Sequence, residues 1–247
     1  MIYLKNKTEI EKLYTAGQIV KDTLYKVEEY IQPGIKTSEL DRIAEEFILS
    51  KNAKPGFKGL YGYPSTLCIS IDNEVVHGLP SNRELKEGQI VGIDVGSIFE
   101  GYFGDHAKTF KVGKVDDKLS SLVDITRKSL YIGIDQVKPG NYIGDIGYAI
   151  QNYAESKGYS VVRELVGHGI GKNLHEEPQV PNYGMKGTGA KIEIGMCLAI
   201  EPMINIGSAD VKTMDDGWTV VTKDGSFSAH FEHSVAVTDN GTIILSK

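Results

Sequence analysis

The sequence predicts an α+β fold built from two similar halves. Long amphipathic helices come in pairs, and each pair is followed by a run of short strand-like segments rather than by single strands alternating with helices. The two helix pairs also align with each other without a gap at a constant shift of 106 residues, which carries Pro33 onto Pro139. Antiparallel strands from both halves are expected to form a joint central sheet, with the helices covering one face.

The elements follow in order. After Lys7, apolar residues at Ile10, Leu13, Val20, Leu24, Val27 and Ile31 keep helical spacing, and Thr8 with Glu11 reads as a capping box. Gln32-Pro33-Gly34 stops this helix, and "TSELDRIAEEFILSKN" starts a second. Strand patterns follow in "STLCISID", "GQIVGIDVGSIF" and "GYFGDHAKTFKVG", the last two joined by a hairpin turn at "FEGY". The second half begins with the helical "DKLSSLVDITRKSLYIGIDQV", broken at Lys138-Pro139-Gly140, and then "DIGYAIQNYAESKG". Its strands are "GMCLAIEPMIN", "GWTVVTKDG" and "HFEHSVAVTDNGTIIL". Gly34 aligns with Gly140, Leu40 with Ile146, Phe47 with Tyr153, and Ser50-Lys51 with Ser156-Lys157. The halves, approximately 1–115 and 116–247, meet near residues 113 to 118 with no low-complexity linker, so one domain over 1–247 is expected.

Composition narrows the function. The chain has 247 residues, 40% of them apolar and 24% charged, and a formal net charge of −6. No global basic field exists, so a direct nucleic-acid role is not expected. No segment has signal-peptide character or the roughly 20 apolar residues that cross a bilayer. A cytoplasmic protein without a membrane role is the expectation, with Cys68 and Cys197 as reduced thiols.

The informative residues are acids in apolar strands. Asp94 lies between Ile93 and Val95, and Asp105 follows on the next strand. With a two-residue turn at either Phe99-Glu100 or Glu100-Gly101, period-two alternation puts both carboxylates on one face of the ribbon. Glu201 ends "MCLAI", and Glu232 sits in "HFEHSVAV". An acid in such a strand must be paired, protonated or ligated, because burying it bare is prohibitive. Lys108 alone could not neutralise four of them, whereas divalent cations could. Oxygen ligands with an imidazole suit Mn, Fe(II), Co or Zn rather than a cysteine-held structural zinc. Four carboxylates would balance two ions bridged by a hydroxide, which is an activated nucleophile.

The stretch "VGHGIGKNLHEEP" places His168 and His175 among Gly167, Gly169 and Gly171, with acids directly after them. It lacks both the dinucleotide glycine spacing and the Walker sequence, and its acids would repel phosphate. Glycines here suggest a tightly turning loop.

Taken together, "NEVVHGLP", "GIDVGSIFEGYFGD", "GHGIGKNLHEEPQVPNYG", "AIEPMIN" and "FEHSVAVTDNG" resemble the type I methionine aminopeptidases, metallopeptidases of pita-bread fold. The resemblance covers nearly the whole chain. It implies a metal-dependent enzyme that removes the N-terminal methionine from nascent proteins and peptides with a small second residue. By that resemblance Asp94, Asp105, His168, Glu201 and Glu232 are the ligands of two divalent ions, with Asp105 and Glu232 bridging. His175 would hydrogen-bond the scissile carbonyl and its oxyanion, His77 would lie near the scissile nitrogen, and Glu201 would exchange protons with the attacking water. Tyr63, Cys68, Leu174 and Trp218 match positions that line the methionine pocket. The implied partners are nascent polypeptide N-termini, with the ribosome a candidate contact and a monomer the implied state.

Some positions depart from the family pattern. Gly96 stands where Ser or Thr is common, and His106 where a small hydroxyl residue is common. Strand alternation aims His106 away from the metal face, to a structural or solvent-facing role. His230 reads as a surface residue or one supporting the ligands, and His233 as a packing residue. Rival readings are an X-Pro peptidase of the same fold, which tends to be longer, and a noncatalytic relative, which would have lost its ligands.

Overall fold

The computed structural model describes residues 1–247. Helix α1 (Lys7–Glu28) opens on a capping box two residues earlier than the sequence suggests. The Asn6 side chain accepts the Glu9 N–H and the Glu9 carboxylate accepts the Asn6 N–H, both at 3.0 Å. Asn is as good a cap as Thr, and Glu9 stands at the same three-residue spacing that Glu11 offers Thr8. Helix α2 spans Thr37–Ser50. In the second half α3 (Asp117–Ile134) is capped by the Asp116 side chain on the Leu119 N–H, and α4 spans Ile143–Ser156. Both ends of α4 lie 106 residues beyond those of α2.

In the first half, β1 (Lys54–Pro55) and β2 (Leu67–Ile71) flank β4 (Ile90–Phe99), which also pairs with β5 (Tyr102–Lys111); the short β3 (Glu74–Val76) leaves this sheet. The β4–β5 turn is Glu100-Gly101, with φ of 47° and 81°, the handedness that two-residue hairpins prefer. In the second half come β6 (Ser160–Val161), β7 (Gly167–Gly169), β8 (Glu176–Val180), β9 (Cys197–Ile200) and β10 (Met203–Asn205). They are followed by β11 (Val211–Thr213), β12 (Val220–Thr222), β13 (Ser228–His230), β14 (His233–Thr238) and β15 (Gly241–Ile244). The second-half sheet runs β15-β14-β9-β7-β8, while β13-β10-β6 and β11-β12-β3 form smaller ones. All these pairings are antiparallel.

The joint sheet is therefore not one continuous ladder but several, stitched where β5 meets the chain around β13 and β14. There the Glu232 N–H donates to the Ala107 carbonyl at 2.9 Å, and the Ser234 hydroxyl donates to the Asp105 carbonyl at 2.9 Å. Thr109 both donates to the His230 carbonyl and accepts the His230 N–H.

Strand alternation separates the two faces. Val91, Ile93 and Val95 of β4, with Leu67, Ile69 and Ile71 of β2, pack against Leu24, Val27, Leu40 and Ile43 of the helices. Leu198 and Ile200 of β9, with Val235 and Val237 of β14, do the same against Leu122, Leu130, Ile146 and Ile150. Each such burial contributes about 1.5–3 kcal/mol, and these two cores fix which side of every strand faces the helices. The opposite face is left to Asp94 and Asp105 in one half and to the Ala199 and Ser234 side in the other. No helix is long and apolar enough to cross a membrane.

The C-terminal segment closes on α1. The Gln18 amide donates to the Leu245 carbonyl at 2.7 Å, and a Cβ at Gly17 would stand 2.5 Å from that same oxygen. Helix propensity alone would make Gly17→Ala stabilising by about 1 kcal/mol. The backbone clash outweighs it, so Gly17→Ala is expected to destabilise by about 1–3 kcal/mol in urea unfolding. A gain in stability would show that α1 and the C-terminus are not held this closely.

Candidate metal centre

Five side chains converge from four segments of the chain. In the β4–β5 ladder Asp105 lies opposite Gly96, two residues from Asp94, so both carboxylates share the face away from the helices. His168 of β7 lies opposite Ala199 of β9, whose other neighbour is Ser234 of β14. Glu201 and Glu232 follow by the same alternation, each two residues from one of these cleft-facing positions. His168 Nε2 stands 3.7 Å from Asp105 Oδ2 and 3.5 Å from Glu201 Oε1. Ligand atoms of Asp105, His168 and Glu232 all lie within 4.8 Å of one another.

No lysine or arginine pairs with any of the four acids; Lys108 points to the helix face, where it meets Glu28 at 2.8 Å. Asp105 and Glu232 are buried, and one oxygen of each of Asp94, Asp105 and Glu232 has no hydrogen-bond partner. Burial, with repulsion from neighbouring acids, pushes Asp105, Glu201 and Glu232 well above the usual carboxylate range. Asp94 is pushed up to about 7, chiefly by burial.

His168 shows that the site fits a cation. Its Nδ1 lies 2.9 Å from the Gly169 carbonyl, an acceptor only, so Nδ1 carries the proton. Burial holds the ring neutral, with a pKa lowered to about 4. Nε2 therefore turns a lone pair toward two carboxylates. Lone pair against carboxylate is repulsive unless a proton or a metal cation lies between them, and oxygen donors with one imidazole are the ligand set of a hard or borderline divalent ion.

The other predicted residues surround the same space. Tyr63, Cys68, His77, Leu174, His175 and Trp218 line one cavity of about 130 Å³ together with all five candidate ligands. His77 and His175 stand exposed at its mouth, His77 in the left-handed region with φ of 60°. The His175 ring meets that of His168 edge-on, with centroids 4.5 Å apart. At the apolar end Tyr63 and Trp218 pack edge to face at 5.1 Å, and the Tyr63 hydroxyl lies 3.0 Å from the carbonyls of Leu67 and Gly78. Asp216 sets the turn before Trp218 by accepting the N–H groups of Trp218 and Thr219.

Several sequence expectations need correction. The glycines around His168 do not turn the chain, since none of Gly167, Gly169 and Gly171 has positive φ. Gly167 and Gly169 lie in a strand, where a Cβ would collide with the carbonyls of Ala199 and Glu177 respectively. Close approach, not flexibility, requires them. His230 is not at the surface: it is buried, and its Nε2, 3.8 Å from Glu201 Oε2, is a ring nitrogen without a hydrogen-bond partner. His106 is not solvent-facing either, because its buried Nδ1 donates to the Glu232 carbonyl and its ring stacks on His233 at 4.5 Å. Gly96 has no room for a hydroxyl side chain, since a Cβ would stand 2.5 Å from the Phe57 ring. Phe57, Leu60 and Tyr61 also line the cavity, although no periodicity or acid marks them in the sequence.

Residues 11–239 match metallopeptidase family M24. The chain is 52% identical over 246 residues to the methionine aminopeptidase of Clostridium perfringens, covering 100% of this chain and 99% of that protein. Against the crystal structure of methionine aminopeptidase from Thermotoga maritima it has a TM-score of 0.98 and 46% identity, with each chain covered completely. Prolidase from Pyrococcus furiosus shares the fold at a TM-score of 0.80 and 23% identity, with 65% of that longer chain covered.

The raised carboxyl pKa values give a sign for stability against pH. The folded metal-free protein keeps protons that the unfolded chain releases near pH 4. The stability these groups contribute is thus full below about pH 4 and lost as pH rises toward the Asp94 value of about 7. Metal-stripped protein should melt at a lower temperature at pH 7.5 than at pH 5.5, as read by calorimetry. Added Mn or Co should raise the melting temperature more at the higher pH, where ~100 times its Kd stabilises the fold by about 2.7 kcal/mol. A metal-induced shift that shrinks as pH rises would contradict the assignment.

Proposed function

Because the chain belongs to metallopeptidase family M24 and has its pita-bread fold, we propose that it removes the N-terminal methionine from polypeptides whose second residue is small. The observation that supports this most directly is the single cavity that joins four acids and His168 to an apolar end built from Tyr63, Cys68, Leu174 and Trp218. In this reading Asp94, Asp105, His168, Glu201 and Glu232 hold two divalent ions, with Co, Mn, Fe(II) and Zn as the candidates. When bound, such ions supply Lewis acidity and acidify the water that attacks the peptide.

The remaining work falls to the chain's own groups. The apolar end takes the thioether side chain, to which sulfur and aromatic edges are well matched. The acids attract the free α-amine, so an internal peptide, which has none, is not cut. Glu201 accepts the proton of the attacking water and later returns one to the departing amine. His175 at the mouth donates to the carbonyl oxygen as its charge develops, and His77 stands beside the scissile nitrogen. Although both rings reach solvent at the mouth, the cleft walls withdraw them partly from water, and this desolvation lowers the pKa of both imidazoles and favours their neutral form. A narrow approach past these two rings limits the second residue to a small one.

We assign this work to nascent chains in the cytoplasm, performed by a monomer, with the ribosome as a candidate contact. Salt-sensitive cosedimentation with ribosomes is the expected result at low salt, and its absence there would remove that partner.

The activity itself is tested with Met-Ala-Ser and metal-stripped protein reloaded with Mn, Co or Fe(II). Free methionine should appear with metal, and none should come from the N-acetylated peptide. His175→Ala should lower kcat by about 10²–10³, the size of an oxyanion donor's contribution. If folded protein releases no methionine with any of these metals, the proposal fails.

A further inference from the structure

The acid directly after His175 has no part in the reaction just described, yet it is one of the least exposed ion-paired groups in the molecule. Glu176 Oε2 accepts from Lys5 Nζ at 2.5 Å, and both side chains are only 6% exposed. Its other oxygen accepts the Asn173 N–H at 3.1 Å. Lys5 is itself anchored, since its backbone N–H donates to the Gly195 carbonyl at 2.7 Å and its ammonium to the Tyr3 carbonyl at 3.0 Å. A Cβ at Gly171 would stand 2.5 Å from the Glu176 carboxylate and 2.7 Å from Lys5 Cε, so the chain closes directly over the pair. Residues 170–175 join β7, which carries His168, to β8, and they end on His175.

We propose that Lys5 is a positioning residue for His168 and His175, acting through Glu176. Without the ammonium, a buried carboxylate would be left uncompensated, and the most direct relief is for Glu176 to swing toward water. That movement releases the Asn173 N–H and takes His175, its chain neighbour, out of place. The first residues of the chain thus act as a strap across the segment that bears both imidazoles. This inference rests on the reading of the cleft as a methionine-releasing site, but two of its measurements do not.

The test compares Lys5→Met and Lys5→Arg with the parent in kcat and KM for Met-Ala-Ser, in Mn affinity by calorimetry, and in amide exchange of residues 172–175 without metal. Lys5→Met should lower kcat by about 10-fold or more with KM changed far less, as expected when a catalytic group is misplaced. It should weaken Mn binding by about 10-fold and speed the exchange, while Lys5→Arg restores all three. If Lys5→Met does not fold, Lys5→Met/Glu176→Ala leaves neither an uncompensated charge nor an acceptor for the Asn173 N–H, and should show the same losses. Folded Lys5→Met, or the double variant, with kcat, Mn affinity and exchange all within twofold of the parent overturns the inference. A parent that releases no methionine would overturn the function instead, and the Mn and exchange measurements would still decide the role of Lys5.

Discussion

Four carboxylates share one wall of the cleft, and no positively charged side chain of the protein reaches them. The rest of the architecture can be understood as the means of holding that unfavourable arrangement. In β4 the residues on the helix side are Val91, Ile93 and Val95, whose burial against α1 and α2 opposes the repulsion. On the cleft side the neighbours are Gly92 and Gly96, which bring no competing side chain. The same division recurs in β9 and β14, where Leu198, Ile200, Val235 and Val237 face the second core. The acids are tolerable because each sits on a strand whose other face is strongly committed, and because a cation can complete what the protein leaves unpaired.

The centre also depends on contact between the halves. Asp94 and Asp105 come from the first, and His168, Glu201 and Glu232 from the second. The hydrogen bonds from Glu232 to Ala107 and from Ser234 to Asp105 fix the separation of the Asp105 and Glu232 carboxylates. His106 adds a third fastening behind the site, where its Nδ1–H meets the Glu232 carbonyl. Backbones approach this closely only where a Cβ is missing, which is the common role of Gly167 and Gly169, while at Gly96 the Phe57 ring takes the place of a Cβ. Both chain ends contribute as well: Lys5 underlies the segment with the two imidazoles, and Leu245 seals against Gly17.

Along the cavity the chemistry changes from ionic to apolar over a short distance. Cys68 of β2 lies opposite Asp94 of β4, so a sulfur and a carboxylate are neighbours in one ladder. Burial raises the Cys68 thiol far above its ordinary value, which keeps it an uncharged wall of the pocket rather than another anion beside the candidate ligands. In the proposed reaction, the reacting bond and the side chain that identifies the substrate would therefore be held by adjacent residues of the same sheet.

What the sequence determined by itself were the features that are local or periodic. Helical spacing located the four helices, and the shift of 106 residues paired them correctly, down to the ends of α2 and α4. Alternation about a two-residue turn placed Asp94 and Asp105 on one face, because strand geometry leaves no other outcome. An acid in an apolar strand marked Glu201 and Glu232 for the same reason that burial of charge is costly. Tertiary structure alone decided the rest. Phe57, Leu60 and Tyr61 have no local signature, since only folding brings them to the cavity. For His230 and His106 the sequence leaves open a surface place or a supporting one, because their burial comes from strands more than a hundred positions away or from the packing of whole sheets. The glycines around His168 are compatible in sequence with a turn or with close approach. Only the neighbouring carbonyls of Ala199 and Glu177 choose between the two, because a missing Cβ has meaning only when something occupies its place.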